Sequence, residues 1–153
     1  MSYGTDPRAR QYGSLDLFAG CSRRDLRSLA RTTTRVDVPA GKVLARQGAH
    51  RPELLLVISG GADVVRDGKV VGQLRAGDHH GEFTLLRGVP QPTTLVATEP
   101  TVVDVFTAPE FLGAYRTMPS FRAAIDRNVD RRTATWLTVP TAAPAVSPAF
   151  AEC

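Results

Sequence analysis

Apolar residues recur along this chain with two different periods. From Thr34 to Phe106 they alternate with polar ones or run in short blocks bounded by glycine; on either side they return every three or four positions. Val36 and Val38 alternate with polar neighbours, Gly41 turns the chain, Val43 to Ala45 follow, and Gly48 turns it again. Leu54 to Ile58 is a continuous apolar run ended by Ser59-Gly60-Gly61. Ala62 to Val65 and Val70 to Leu74 flank Asp67-Gly68, a strong two-residue hairpin signal. Thr94 to Ala97 and Val102 to Phe106 are two further strands separated by Glu99-Pro100. About seven or eight short strands with frequent glycine turns predict a mainly β fold, an antiparallel sandwich or roll.

The helical segments flank this block. Ser22 is placed as a cap with Asp25 three residues on, and Leu26, Leu29 and Ala30 carry the helix to about Arg31. Thr107-Ala108-Pro109-Glu110 combines a Thr cap, an early Pro and a Glu at the third helical position. It opens a helix of about ten residues that stops before Met118-Pro119. Ser120 is read as the cap of a last helix, whose Phe121, Ile125, Val129 and Trp136 form an apolar stripe. Residues 1–13 read as a flexible lead-in and residues 139–153, rich in Pro and Ala, as a disordered tail. Residues 14–138 are one domain.

Composition adds exclusions. No apolar run approaches the ~18 residues of a membrane span, and Met1 to Arg8 lacks the apolar core of a secretory signal, so a cytoplasmic protein is expected. Cys21 and Cys153 lie at opposite ends of the chain, which suggests neither a disulfide framework nor a metal knuckle. Lys42 and Lys69 are the only lysines among 19 basic residues. The densest arginine groups, Arg23 to Arg27 and Arg127 to Arg132, are interleaved with aspartates and read as solvated helix faces.

Candidate chemistry gathers between Gly77 and Thr94. Gly77 and Gly81 bracket a tight turn, and Gly81 to Leu86 can form one or two helical turns before Gly88 and Pro90 stop them. Unpaired N–H groups at such a start suit a phosphate, and Glu82 beside them would accept from hydroxyl groups. This pattern describes a sugar-phosphate site.

From about Leu15 to Arg132 the chain resembles the cyclic nucleotide-binding domain family, the β-roll modules of catabolite-type regulators, protein kinase A regulatory subunits and gated channels. Landmarks are Leu17-Phe18, Pro39-Ala40-Gly41, Gly48, Leu55 to Gly60, Gly77-Asp78-His79-His80-Gly81-Glu82-Phe83-Thr84-Leu85-Leu86 and Thr93-Thr94. The resemblance implies an antiparallel β-roll (a double-stranded β-helix or jelly roll) with an N-terminal helix, a short cassette helix and C-terminal helices. It implies a phosphate-binding cassette and a candidate ligand, cyclic AMP or cyclic GMP, contacted by Gly81, Glu82, Phe83, Thr84, Gln91, Pro92, Thr93 and Thr94. Glu82 would take the ribose hydroxyl. The chain departs from the family where an arginine and a Ser or Thr meet the phosphate: it has Gln91 and Pro92. A hydrogen bond to a charged group is worth about 1.5–3 kcal/mol, so losing that arginine is expected to weaken binding roughly ten- to a few hundred-fold. Pro92 removes a hydroxyl and an N–H as well. Arg87 is a candidate substitute cation, though a solvated helix end is the favoured reading.

Other chemistries are weaker. Adjacent His79 and His80 leave opposite faces of a strand, unlike the His-x-His of metal-binding jelly rolls, so no metal is expected. Ser59 lacks a Gly-x-Ser-x-Gly setting, and no acid/base pair stands at motif spacing, so no catalytic residue, cofactor or enzyme activity is expected. The segment after the last helix is proline-rich and carries no helix-turn-helix pattern, so DNA binding by that route is not expected. Two functions remain open: a nucleotide sensor acting on a protein partner, or a degenerate module that keeps the fold for protein interaction. The stripe ending at Trp136 is the candidate surface for a homodimer, or a lid.

Overall fold

The computed structural model describes residues 6–137. Helices α1 (Pro7–Gly13) and α2 (Arg23–Thr32) precede eight strands. These are β1 (Thr34–Val38), β2 (Val43–Ala45), β3 (Glu53–Ser59), β4 (Gly61–Arg66), β5 (Lys69–Arg75), β6 (His79–His80), β7 (Thr94–Ala97) and β8 (Thr101–Thr107). A short helix, α3 (Glu82–Arg87), lies between β6 and β7; α4 (Ala108–Thr117) and α5 (Pro119–Arg132) follow β8. A wide helical turn, Thr133–Leu137, continues α5.

The strands form two four-stranded antiparallel sheets, β1-β8-β3-β6 and β2-β7-β4-β5. This is the antiparallel β-roll that the alternating pattern predicts. Asp67 and Gly68 both take positive φ (52° and 77°), as a two-residue hairpin requires, and join β4 to β5. The continuous apolar run of β3 has a physical reason. It lies between β8 and β6 in its sheet, while α3 and α4 pack on it, so Leu54 to Val57 are all buried.

The helices assemble an aromatic core beside the roll. Tyr12 stacks on Phe18 at 4.9 Å, Phe18 on Phe121 at 5.6 Å, and Phe111 meets Phe121 edge-on at 5.8 Å. The stripe Phe121, Ile125, Val129 and Trp136 is therefore buried inside the chain. It offers no open face for the homodimer contact the sequence suggested.

Two sequence expectations change. Residues 7–13, read as part of a lead-in, are a helix: Asp6 caps it through its side chain, and Pro7 sits in the first turn. Tyr12 anchors it, donating to Asp104 at 2.6 Å while Arg35 grips the same buried carboxylate at 2.8 and 3.0 Å. Ser120, expected as a cap, lies inside the first turn of α5; Pro119 sets the start because it needs no partner for an N–H. Residues 1–5 of the lead-in and the tail, residues 139–153, lie outside the described residues.

Tyr12→Phe should expose how much α1 contributes. It removes one donor from a fully buried carboxylate, and a loss of about 1.5–3 kcal/mol is expected in urea unfolding. A change below about 0.5 kcal/mol would mean that Arg35 alone satisfies Asp104.

Candidate functional site

Residues His79 to Thr84 and Thr93 to Thr94 are buried, while Arg87 to Pro90 between them are exposed. His79 and His80 pair with Leu56 and Leu55 of β3, and the chain then turns at Gly81 into α3. Gly81 has φ 113°, and a Cβ there would run into the Glu53 carbonyl, so this glycine is dictated by packing on β3. The turn delivers Glu82 to a fully buried position.

Glu82 Oε1 accepts from Arg132 of α5 and lies 2.8 Å from His79 Nδ1. His79 Nε2 is 2.9 Å from Asn128 Nδ2, and Asn128 Oδ1 accepts from Arg131 at 2.9 Å. With Asn128 donating to Nε2, neutral His79 carries its proton on Nδ1 and gives it to Glu82, and the 3.2 Å approach of Arg132 Nη1 to Nδ1 is then a contact between two donors that share Glu82 Oε1. Burial pushes the His79 pKa down, and Arg132 adds to this. Burial alone would raise the Glu82 pKa, but Arg132 and then His79 outweigh it and hold the carboxyl at about 2. Glu82 and Arg132 are thus an ion pair at neutral pH, joining α3 to α5.

Arg132 also stacks over Trp136, 4.4 Å from guanidinium carbon to ring centre. Trp136 faces His80 at 6.4 Å and packs so closely on Gly72 of β5 that a side chain there would collide with it. Its carbonyl accepts from Arg66 at 2.7 Å. The end of the last helix thus packs over His80.

The remaining expected site residues divide. Phe83 belongs to the core, and Arg87 stacks over its ring at 5.4 Å, away from any buried anion site. Thr94 Oγ1 accepts from the Gln47 N–H at 2.9 Å, a turn-stabilising bond. Thr93 Oγ1 lies 2.9 Å from His80 Nε2, and Pro92 is half-buried beside it. Gln91 is buried, its backbone tied to Gly48 and Ala49 by two bonds of 2.8 Å. Its Nε2 donates to the Arg51 carbonyl at 3.2 Å. A cavity of about 90 Å³ lies beside it, lined by Val43, Leu44, Ala45, Arg46, Ala49, Arg51 and Gln91. A smaller one, about 10 Å³, is lined by Leu44, Ala45, Leu55, His80 and Gln91 with Arg51 and Glu53.

Among the described residues, four buried side-chain atoms have no hydrogen-bond partner: His80 Nδ1, Glu82 Oε2, Thr84 Oγ1 and Gln91 Oε1. All four fall within residues 80–91. Leaving a buried polar atom unpaired costs about 1–3 kcal/mol, so each of these atoms is a place where a polar partner is wanted, and His80 and Gln91 line one cavity together.

Sequence reasoning missed His79, Asn128 and Arg132 as parts of this site. Arg132 was grouped with a solvated arginine face, yet it is 3% exposed. Its position was the available signal. It follows Val129 by three residues and precedes Trp136 by four, so it lies on the apolar stripe and points at the core.

Comparison with known proteins identifies the fold. The cyclic nucleotide-binding domain profile matches residues 35–118. The acetyltransferase Pat of Mycolicibacterium smegmatis is 35% identical over 106 residues, 67% of this chain and 32% of that protein. Among solved structures, a cAMP-binding acyltransferase from Mycobacterium smegmatis superposes with a TM-score of 0.69 at 30% identity, covering 87% of this chain and 43% of that one. The catabolite activator protein of Thermus thermophilus gives 0.70 at 24% identity, over 78% and 58%. The chain spans 14% to 33% of the length of the curated relatives it matches. No helix among the described residues is long and apolar enough to cross a membrane. With its fold, the buried Gly81-Glu82 turn and the matched profile taken together, the chain belongs to the cyclic nucleotide-binding domain family.

Proposed function

We propose that this chain is a regulatory ligand-binding module whose site lies around Glu82, Thr84 and Gln91, and that binding there is passed to α5. The observation that carries this reading is that four buried polar atoms without a partner all fall within residues 80–91. The buried Glu82–Arg132 pair supplies the link, because a hydroxyl that bonds the free Glu82 Oε2 draws on the charge of a carboxylate whose other oxygen Arg132 holds. Cyclic AMP is a weak ligand on this reading, since neutral Gln91 and Pro92 stand at the phosphate end. A second reading, a fold kept for protein interaction alone, draws on the fact that Glu82 Oε1 is already held from within by Arg132 and His79.

Calorimetric titration with cyclic AMP and cyclic GMP tests it, with fluorescence of Trp136, the single tryptophan, as a second readout. Native affinity for cyclic AMP in the high micromolar range or weaker is expected. Gln91→Arg should tighten it at least about tenfold, and adding Pro92→Ser should tighten it further. Glu82→Ala on that background should abolish most of the gain. If the double variant binds no cyclic nucleotide while retaining the native circular dichroism spectrum, and the native chain binds no nucleoside, the interaction-module reading replaces this one.

A further inference from the structure

Resting on that reading, we infer that the ligand is uncharged: the site takes a ribonucleoside in preference to the corresponding cyclic phosphate, and Gln91 sets that choice. The amide of Gln91 is oriented by its own bond. Because Nε2 donates to the Arg51 carbonyl, the group left buried without a partner is the oxygen Oε1, which can only accept. Glu82 Oε2 is likewise an acceptor, on a carboxylate that Arg132 keeps ionised. A phosphate has only acceptors to offer and a negative charge, so at the Gln91 end it meets a buried acceptor that cannot pair with it.

The neighbouring cations do not remedy this. Arg132 faces Glu82, and Arg87 lies over the Phe83 ring. Arg51 is paired with Glu53 at 2.9 Å and its side chain is 73% exposed, while Arg46 has interactions of its own. What would complement Gln91 Oε1 and Glu82 Oε2 is a set of hydroxyl or amino donors; Thr84 Oγ1 accepts or donates as needed. Leu44, Ala45 and Leu55 line one side of the cavity shared by His80 and Gln91, an apolar wall beside polar atoms. Vicinal hydroxyls joined to a flat, weakly polar ring fit that combination. The two cavities are smaller than a nucleoside, so binding opens the site, and Trp136, stacked on His80, reports the opening.

The test is a titration of the chain with adenosine, guanosine, cyclic AMP, cyclic GMP and ribose, by calorimetry and Trp136 fluorescence. A nucleoside is expected to bind at least about tenfold more tightly than its own cyclic phosphate, and Gln91→Arg to reverse that order. Gln91→Glu should keep the nucleoside and weaken the cyclic phosphate further. Cyclic nucleotide binding as tight as, or tighter than, nucleoside binding in the native chain would overturn the inference while leaving the ligand site standing. Ribose binding as tightly as a nucleoside would also overturn it, since the ring would then contribute nothing. If neither the native chain nor a folded Gln91→Arg variant binds any of the five, the site itself is refuted, and the inference with it.

Discussion

Replacing Arg132 by Met is expected to destabilise the protein by about 3–5 kcal/mol, among the largest effects of any single substitution here. Met retains most of the stem that packs beneath Trp136 but removes the charge. Glu82 is then left fully buried with only His79 to oppose its desolvation. An unpaired buried carboxylate is far more costly than the pair is favourable, so the two singles and the double variant should be strongly non-additive. Arg132→Met combined with Glu82→Gln is expected to recover most of the loss, because no isolated charge remains. Urea unfolding of the four proteins completes the cycle. Additive losses, or an Arg132→Met cost below about 1 kcal/mol, would show that the pair neither holds α5 to the cassette nor can transmit ligand binding along it.

The same pair shows where the sequence stops being readable. Strand pattern, the Asp67-Gly68 hairpin, the Thr107 capping box and the short helix after Gly81 are local features, set by residues within a few positions of each other, and they were legible. The Thr107 cap is a clear case: its side chain accepts from the Glu110 N–H and Glu110 returns the bond, as the spacing predicts. Glu82 and Arg132 are 50 residues apart, and nothing local marks either as the other's partner. A buried arginine looks like a solvated one until its place on the apolar stripe is weighed against its type. The helix at Pro7–Gly13 was obscure for a related reason: its stability comes from Tyr12 reaching Asp104 and Phe18, not from its own short pattern. Gly81, expected to offer its N–H to a phosphate, is explained by its φ and its approach to the Glu53 carbonyl.

Stability is expected to fall as the pH is lowered from about 6.5 to about 4, a decline that begins well above the range in which carboxylates titrate. Burial lowers the pKa of His80 to about 4 from an ordinary 6.5. Over that window the unfolded chain takes up a proton that the folded chain refuses, so acid favours unfolding. At 1.36 kcal/mol per unit the His80 contribution alone approaches roughly 3 kcal/mol at the acid end. His79, also lowered by burial, acts in the same direction. Glu82 is different: its folded pKa is about 2 against an ordinary 4.5, so its contribution is complete above 4.5 and disappears only as the pH falls towards 2. Urea unfolding at pH 7.5, 5.5 and 4.5 should therefore show a decline already under way at 5.5, with His80→Gln flattening it over that interval. A native protein equally stable at pH 7.5 and 4.5, or a slope untouched by His80→Gln, would mean that His80 takes up its proton within the fold. In that event the surroundings of His80 are open to water, and Trp136 packed over it does not close them.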